Sequence, residues 1–319
     1  ALRLREAGIT APVLSWLHAH DTDFRRVIAA TVDLSAASCH HLARIAAGAA
    51  EAGMTAMVHL KVDTGLCRNG ESPARWPALV ALARRLEQKG LIWVRGVWSH
   101  LVNAGVPGHL RTARQVELFD QAVALARAGG LDPQVRHLAN SAAGLGLPGC
   151  RYDLVRAGIG LYGVEPVHGR TFGLRAAMTL HGRVILVKRV PAGTGVSYDH
   201  RYVTTVDSTL ALVPIGYADG VPRTVGGRAE VWCGGRRHPV AGSVAMDQFV
   251  VDLGTGSTRL GDEVVVFGPG SRGEPTVTEW AGWADTIPHE VFTRLGDRIP
   301  RRYVGECRTR GVQPDREGR

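Results

Sequence analysis

The chain has 319 residues, 45% hydrophobic and 21% charged, the balance of a folded globular protein rather than a disorder-dominated one. It contains no charge-free apolar run of about 18 residues and no basic-then-apolar leader, so neither a membrane span nor a secretory signal is expected, and the expected location is cytoplasmic. The net charge of +9 raises the question of a nucleic-acid partner, but the basic residues are thinly spread and no binding motif accompanies them, so none is expected. Cys39, Cys67, Cys150, Cys233 and Cys307 are dispersed and form no CxxC pair, which argues for a reducing compartment and against a zinc or disulfide framework; no metal is expected. Of the 38 basic residues only three are lysines, Lys61, Lys89 and Lys188.

Six apolar, β-branched-rich segments running into polar residues predict strands at PVLSWLHAH (12–20), VIAATVDLS (27–35), MVHLKVDTGLCR (57–68), VRGVWSHLVN (94–103), QVRHLANSAA (134–143) and DLVRAGIGLYG (153–163). Between them CHHLARIAAGAAEAG, SPARWPALVALARRLEQKG and HLRTARQVELFDQAVALARAGG carry helical periodicity and end in glycine, as a C-terminal stop should. Strand alternating with helix predicts a parallel β/α barrel, short of the eight strands that close one and so lacking its first strands, with chemistry where strands open into loops. The polar segment EPVHGRTFG (165–173) is the expected junction, giving a barrel domain over 1–166 and a mainly β second domain over 167–319. In the second domain HGRVILVKRVP, STLALVPIGYADG, AEVWCGGRRHPVAGSVAMDQFVVDLG and DEVVVFG read as strands with Gly-rich turns. TVTEWAGWADTI reads as a helical insertion, RRYVG as a closing strand, and the last dozen residues as a frayed tail.

The strand ends deliver Lys61, Asp63, Arg68, His100, Ser141 and Arg156. On residue type alone, Lys61, Asp63 and Arg68 are equally a surface salt-bridge network or part of a site. The motifs HLKVDTGLCRNG, GVWSH, RHLANSAA, DLVRAGIGLYG, PIGYADG and GSVAMDQ, in this order and spacing, resemble those of the alanine racemase family, and the likeness runs from Ala1 to about Val304. The resemblance implies a pyridoxal 5'-phosphate enzyme, a homodimer whose active site is shared across the interface, interconverting L- and D-alanine for peptidoglycan.

Carried over position by position, the likeness makes Arg156 the arginine facing the pyridine nitrogen, where it donates a hydrogen bond without surrendering its proton and keeps the ring a weak electron sink. Ser141, Gly158 and Ile159 match phosphate-binding positions, and His100 matches the histidine that lies against the ring and links Arg156 to a tyrosine. Tyr198 matches a catalytic base supplied by the partner subunit; a phenol titrating near 10 needs cationic neighbours to take an α-proton. Met246 matches the residue at the substrate carboxylate, Tyr217 one lining the entrance, and Arg68 the arginine beside the cofactor's phenolic oxygen and the substrate. Lys61 matches a lysine that relatives carbamylate, giving an anion that orients the arginine.

The family's cofactor lysine lies upstream of everything that matches here, and none of the three lysines is placed to substitute, so a truncated sequence with little or no activity is expected. The stretch TIPHEVFTRLGDRIPR lacks a tyrosine that relatives direct at the phosphate, and Asp297 stands at about its place. Alternatives are a racemase of another small amino acid or a non-catalytic dimeric paralogue that binds the cofactor or another ligand. A related decarboxylase is disfavoured by Arg156, since a carboxylate there would make the stronger sink that decarboxylation needs.

Overall fold

A computed structural model describes residues 1–305, so Cys307 and nearly all of the expected tail lie outside the described residues. The described chain divides into two compact units at Ala177/Met178, beyond the expected 166/167, because the linking segment packs back on the first unit. There the His168 N–H donates to the Gly105 carbonyl (2.9 Å) and the Ala177 N–H to that of Tyr162 (3.1 Å).

The first unit carries strands β1 (Leu14–Ser15), β2 (Asp33–Ala36), β3 (Ala56–Lys61), β4 (Ile92–Trp98) and β5 (Val135–His137) in one parallel sheet of that order. Around them run helices α1 (Leu2–Glu6), α2 (Phe24–Ala29), α3 (Cys39–Ala52), α4 (Trp76–Gln88), α5 (Leu110–Ala128) and α6 (Ser141–Gly146). Helix α3 starts where the Ser38 hydroxyl accepts the His41 N–H (3.1 Å) and stops at Gly53, whose φ of 63° is the left-handed turn-off a side chain would resist. Its Leu42, Ile45 and Ala49 fall on one face and pack with Leu34, Val58, Leu60, Val94 and Val97 of the sheet. Each of the leucines, valines and the isoleucine among them stabilises the unit by about 1.5–3 kcal/mol on burial. This open β/α sheet is the expected incomplete barrel build.

Two expected strands differ. The run from Val27 begins in α2, because Asp23 accepts the Arg26 N–H and nucleates a helix; the strand starts only at Asp33. Residues 153–163 form no strand. Arg156 makes a single parallel bridge to Asn140, and the chain then tightens into a 3₁₀ turn at Ile159–Tyr162.

The second unit contains β6 (Leu180–Arg183), β7 (Leu186–Val190), β8 (Gly195–Val196), β9 (Tyr202–Val203), β10 (Ser208–Val213), β11 (Glu230–Cys233), β12 (Arg236–Ala241), β13 (Phe249–Asp252) and β14 (Glu263–Phe267). Seven of these form an antiparallel sheet ordered β6-β14-β11-β12-β13-β10-β7, and β8 pairs with β9. The expected β segment HGRVILVKRVP is two strands at opposite ends of this order, joined only by Val184 and Ile185. So short a link requires the sheet to curl until its ends approach. Helix α7 (Val277–Trp283) opens with a reciprocal Thr276–Glu279 capping box inside the expected helical insertion. A second helix, α8 (Pro288–Arg294), follows it, and RRYVG forms no strand: Tyr303 and Val304 are 90% and 86% exposed and make no ladder pairing among the described residues.

Candidate functional site

In the first unit the polar side chains gather at the C-terminal ends of β3, β4 and β5. Trp98, the last residue of β4, is buried; its indole N–H donates to the Ser35 hydroxyl (2.9 Å) and its ring stacks on His137 at 8°. Lys61 Nζ lies 4.2 Å and the Arg156 guanidinium 4.8 Å from the centre of that ring. Such cation–π contacts help hold two cations that have no salt bridge among the described residues, although the charge of Asp63 is felt by Lys61. Burial, then the charges of Arg68 and Arg156, lowers the Lys61 pKa to about 8.

Arg156 uses four of its five N–H donors on protein: Nη1 on His137 Nδ1 (2.9 Å) and the His137 carbonyl (2.9 Å), Nη2 on the carbonyls of Ser99 (2.7 Å) and Leu138 (3.0 Å). Nε is buried without a partner. Burial brings its pKa down to about 10, so it stays charged at neutral pH. The imidazole bonded to Arg156 is therefore His137, not His100, which senses Arg156 only through its charge. Burial first, then Arg156, Arg68 and Lys61, pushes His100 to about 4, and it is neutral at pH 7.

Behind His137 runs a line of groups that the sequence reading missed. His137 Nε2 meets His59 Nδ1 (2.9 Å), His59 Nε2 meets Asp33 Oδ2 (3.3 Å), and Arg95 donates to the same oxygen (2.9 Å). The only sequence signal was polar residues at odds with otherwise apolar buried strands.

Asp63 makes no ion pair among the described residues, and its part is to shape a loop. Its Oδ1 accepts the N–H groups of Gly65, Leu66 and Cys67, and the turn so formed carries Arg68. Ser141, buried at the head of α6, accepts the N–H groups of Gly158 (2.8 Å) and Gly160 (3.2 Å), which ties α6 to the turn bearing Gly158 and Ile159. A Cβ at Gly158 would meet nothing within 4 Å, so open space lies over this turn. Lys61, Arg68, His100, Ser141, Arg156, Gly158 and Ile159 thus all lie at the C-terminal strand ends of one unit or in the segments that follow them.

In the second unit three loops meet. Tyr198, 64% exposed, follows Ser197, whose hydroxyl donates to the Ser243 carbonyl (2.7 Å). The Tyr217 and Ala218 N–H groups donate to the carbonyls of Ala245 (3.0 Å) and Met246 (2.9 Å). Gly216 is required there, because a Cβ would overlap the Met246 carbonyl. Buried Asp219 accepts the Gly216 N–H and pairs with Arg298, which also holds Asp247 (2.7 Å). Tyr198, Tyr217 and Met246 are thereby brought into one loop cluster, and Tyr198 lines a pocket with Ser243, Ala245, Gln248 and Phe249. Asp297 points to solvent, and among the described residues its ion pair is with Arg301 at 3.9 Å.

A β/α-barrel unit with its polar cluster at the strand ends, followed along the chain by a curled antiparallel β unit, defines the barrel-plus-β-domain class of enzymes. Residues 1–166 match the family model "Alanine racemase, N-terminal domain", and residues 177–303 match "Alanine racemase, C-terminal domain". The alanine racemase of Frankia casuarinae is 54% identical over 308 residues, 95% of this chain and 80% of that protein. The crystal structure of alanine racemase from Streptomyces lavendulae is 47% identical with a TM-score of 0.93, covering 96% of this chain and 81% of that one. The Bacillus anthracis alanine racemase, solved with bound L-Ala-P, is 31% identical with a TM-score of 0.85, covering 98% and 81%. The chain belongs to the alanine racemase family, a family of isomerases.

Proposed function

We propose that this protein interconverts L- and D-alanine with pyridoxal 5'-phosphate, acting as a cytoplasmic homodimer. The observation that carries this reading is the lone free N–H of Arg156: a buried donor that cannot lose its proton, aimed by four fixed bonds, suits a neutral ring nitrogen. The donor set fits the rest of the cofactor as well. Ser141 and the Gly158–Ile159 turn would hold the phosphate, Arg68 the phenolic oxygen, and neutral His100 would lie against the ring without adding charge. When bound, the cofactor supplies the electron sink for the charge left at the α-carbon as its proton departs.

The chain's own residues do the remaining work. Arg156 limits the sink by withholding its proton, which favours return of a proton to the α-carbon over further chemistry. Tyr198 of the partner subunit moves a proton at its phenolic oxygen, Met246 binds the substrate carboxylate through its backbone, and Tyr217 narrows the entrance. Lys61, titrating near 8, keeps roughly a tenth of its amine neutral at pH 7. That amine can add to carbon dioxide, forming an N–C bond and releasing a proton, and the resulting carbamate would replace a cation between Arg68 and Arg156 with an anion. A carbamyl carbon signal in protein equilibrated with ¹³C-bicarbonate, lost in Lys61→Arg, is expected; its absence from the unaltered protein would remove this assignment.

Titration calorimetry with pyridoxal phosphate, run beside Arg156→Ala, and polarimetric assay of L-alanine test the main reading. Binding weakened by the substitution is expected, and production of D-alanine is expected from protein that also carries the family's cofactor lysine, which none of Lys61, Lys89 and Lys188 replaces. Equal binding by both proteins would remove Arg156 from the ring nitrogen, and a sedimentation mass of one chain would remove the shared site.

A further inference from the structure

We infer that Gln115 is a positioning residue that fixes His100, a role resting on the placement of His100 in the site proposed above. The buried stripe of α5 runs Thr112, Gln115, Phe119, Ala122, Ala126, so two polar residues head an otherwise apolar face. Gln115 is 3% exposed, and an amide at such a depth must have its donors and acceptor matched, since each left unpaired costs about 1–3 kcal/mol. They are matched entirely by the strand-end loops. Nε2 donates to the His100 carbonyl (3.0 Å) and the Thr64 hydroxyl (3.0 Å), and Oε1 accepts the Val102 N–H (2.8 Å).

The amide therefore grips the chain on both sides of the His100 side chain. Flipping it would set the carbonyl against the His100 carbonyl and the amino group against the Val102 N–H, so one orientation is fixed. The Thr64 hydroxyl continues the grip to the Ser99 hydroxyl (2.9 Å), and the Ser99 carbonyl is one of the acceptors that aim Arg156 (2.7 Å). The His100 ring makes no side-chain hydrogen bond among the described residues, so its position follows from where its backbone is held. A glutamine fifteen residues away on a helix thus registers the Asp63 loop, the His100 loop and Arg156 to one another.

The test uses Gln115→Met, which keeps the volume and removes all three bonds, and Gln115→Glu, which keeps the acceptor for Val102 but turns a carboxylate oxygen toward the His100 carbonyl. In protein labelled at the histidine Cε1 carbons, the His100 resonance, assigned by its loss in His100→Asn, is expected to move in both variants. The Val102 amide should exchange about ten-fold faster in Gln115→Met but stay protected in Gln115→Glu. Alanine turnover should show kcat lowered about ten-fold with KM changed less than about two-fold, since orientation and not substrate binding is lost. An unmoved His100 resonance in a folded variant overturns the inference, whatever happens to stability. Should Gln115→Met fail to fold, Gln115→Glu alone decides on the same resonance. If the resonance moves and kcat does not, the hold on His100 stands and the placement of His100 at the reaction centre falls.

Discussion

Arg156 and Gly96 show how much rests on single atoms at the end of this sheet. Lysine at 156 would keep the charge but offer three ammonium donors to the four acceptors that now surround a planar fork, leaving at least one of them unpaired. Arg156→Lys is expected to lower the unfolding free energy by about 2 kcal/mol or more, read from urea midpoints, and to weaken pyridoxal phosphate binding by calorimetry. Gly96 is needed for a different reason: a Cβ there would stand 2.5 Å from His59 Nδ1 and 2.7 Å from the Val135 carbonyl, and the second of these is backbone. Gly96→Ala should cost about 1–3 kcal/mol and, by displacing the His59 ring, separate it from His137; a urea midpoint equal to that of the unaltered protein would refute this. Arg156 was legible in the sequence because a motif surrounds it. The Asp33–His59–His137 line was not, since it exists only through lateral register, with Ser35 beside His59, His59 beside Gly96 and Trp98 beside His137. Neighbours along the chain carry no trace of a line that crosses strands.

At the level of elements, legibility followed periodicity. Helices α3, α4 and α5 lie where a 3.6-residue apolar repeat runs into glycine, because a stripe that long has no other way to bury itself. Short apolar runs are ambiguous: Val27–Ala29 goes to a helix once Asp23 caps it, and 153–163 becomes a bridge and a tight turn. The turn carrying Tyr198 had no sequence signal for its conformation, although Ser197, Asp199 and His200 all sit at positive φ, at 62°, 61° and 46°. None of these is glycine, and left-handed backbone costs an ordinary residue about 1–2 kcal/mol. Asp199→Gly relieves part of that cost and gives up only an exposed pair with Arg201 (3.4 Å), which contributes little. The variant is expected to gain about 0.5 kcal/mol, visible as a higher Tm, while kcat for alanine falls as the turn bearing Tyr198 loosens. A lower Tm would show that the strain is not stored there.

For the whole molecule, the two units differ in where their buried histidines lie, and this sets how each responds to acid. His18 and His100 are lowered to about 4, and His41 and His137 are lowered too, in every case chiefly by burial; all four belong to the first unit. Among the described residues of the second unit, only His238 is of this kind. An unfolded chain takes up these protons near pH 6.5, whereas the folded unit refuses them until far lower pH. Stability is therefore complete above about 6.5 and falls as pH drops below it, by up to about 1.4 kcal/mol per pH unit for each histidine, less where water reaches the ring. The shifted carboxylates act lower on the scale. Glu274, Glu279, Glu290 and Asp262 of the second unit are held below their usual range, so what they contribute persists until pH falls through about 4. Between pH 7 and 5 the first unit should thus lose stability well before the second. Pulse proteolysis in urea at the two pH values, with fragments assigned by mass, is expected to show earlier cleavage within residues 1–177 at pH 5 and little change within 178–305. Replacing His18 with glutamine should flatten the first unit's response, because it removes a proton site that only the unfolded chain can fill; a response equally steep with and without His18 would mean that the loss on acidification has another source.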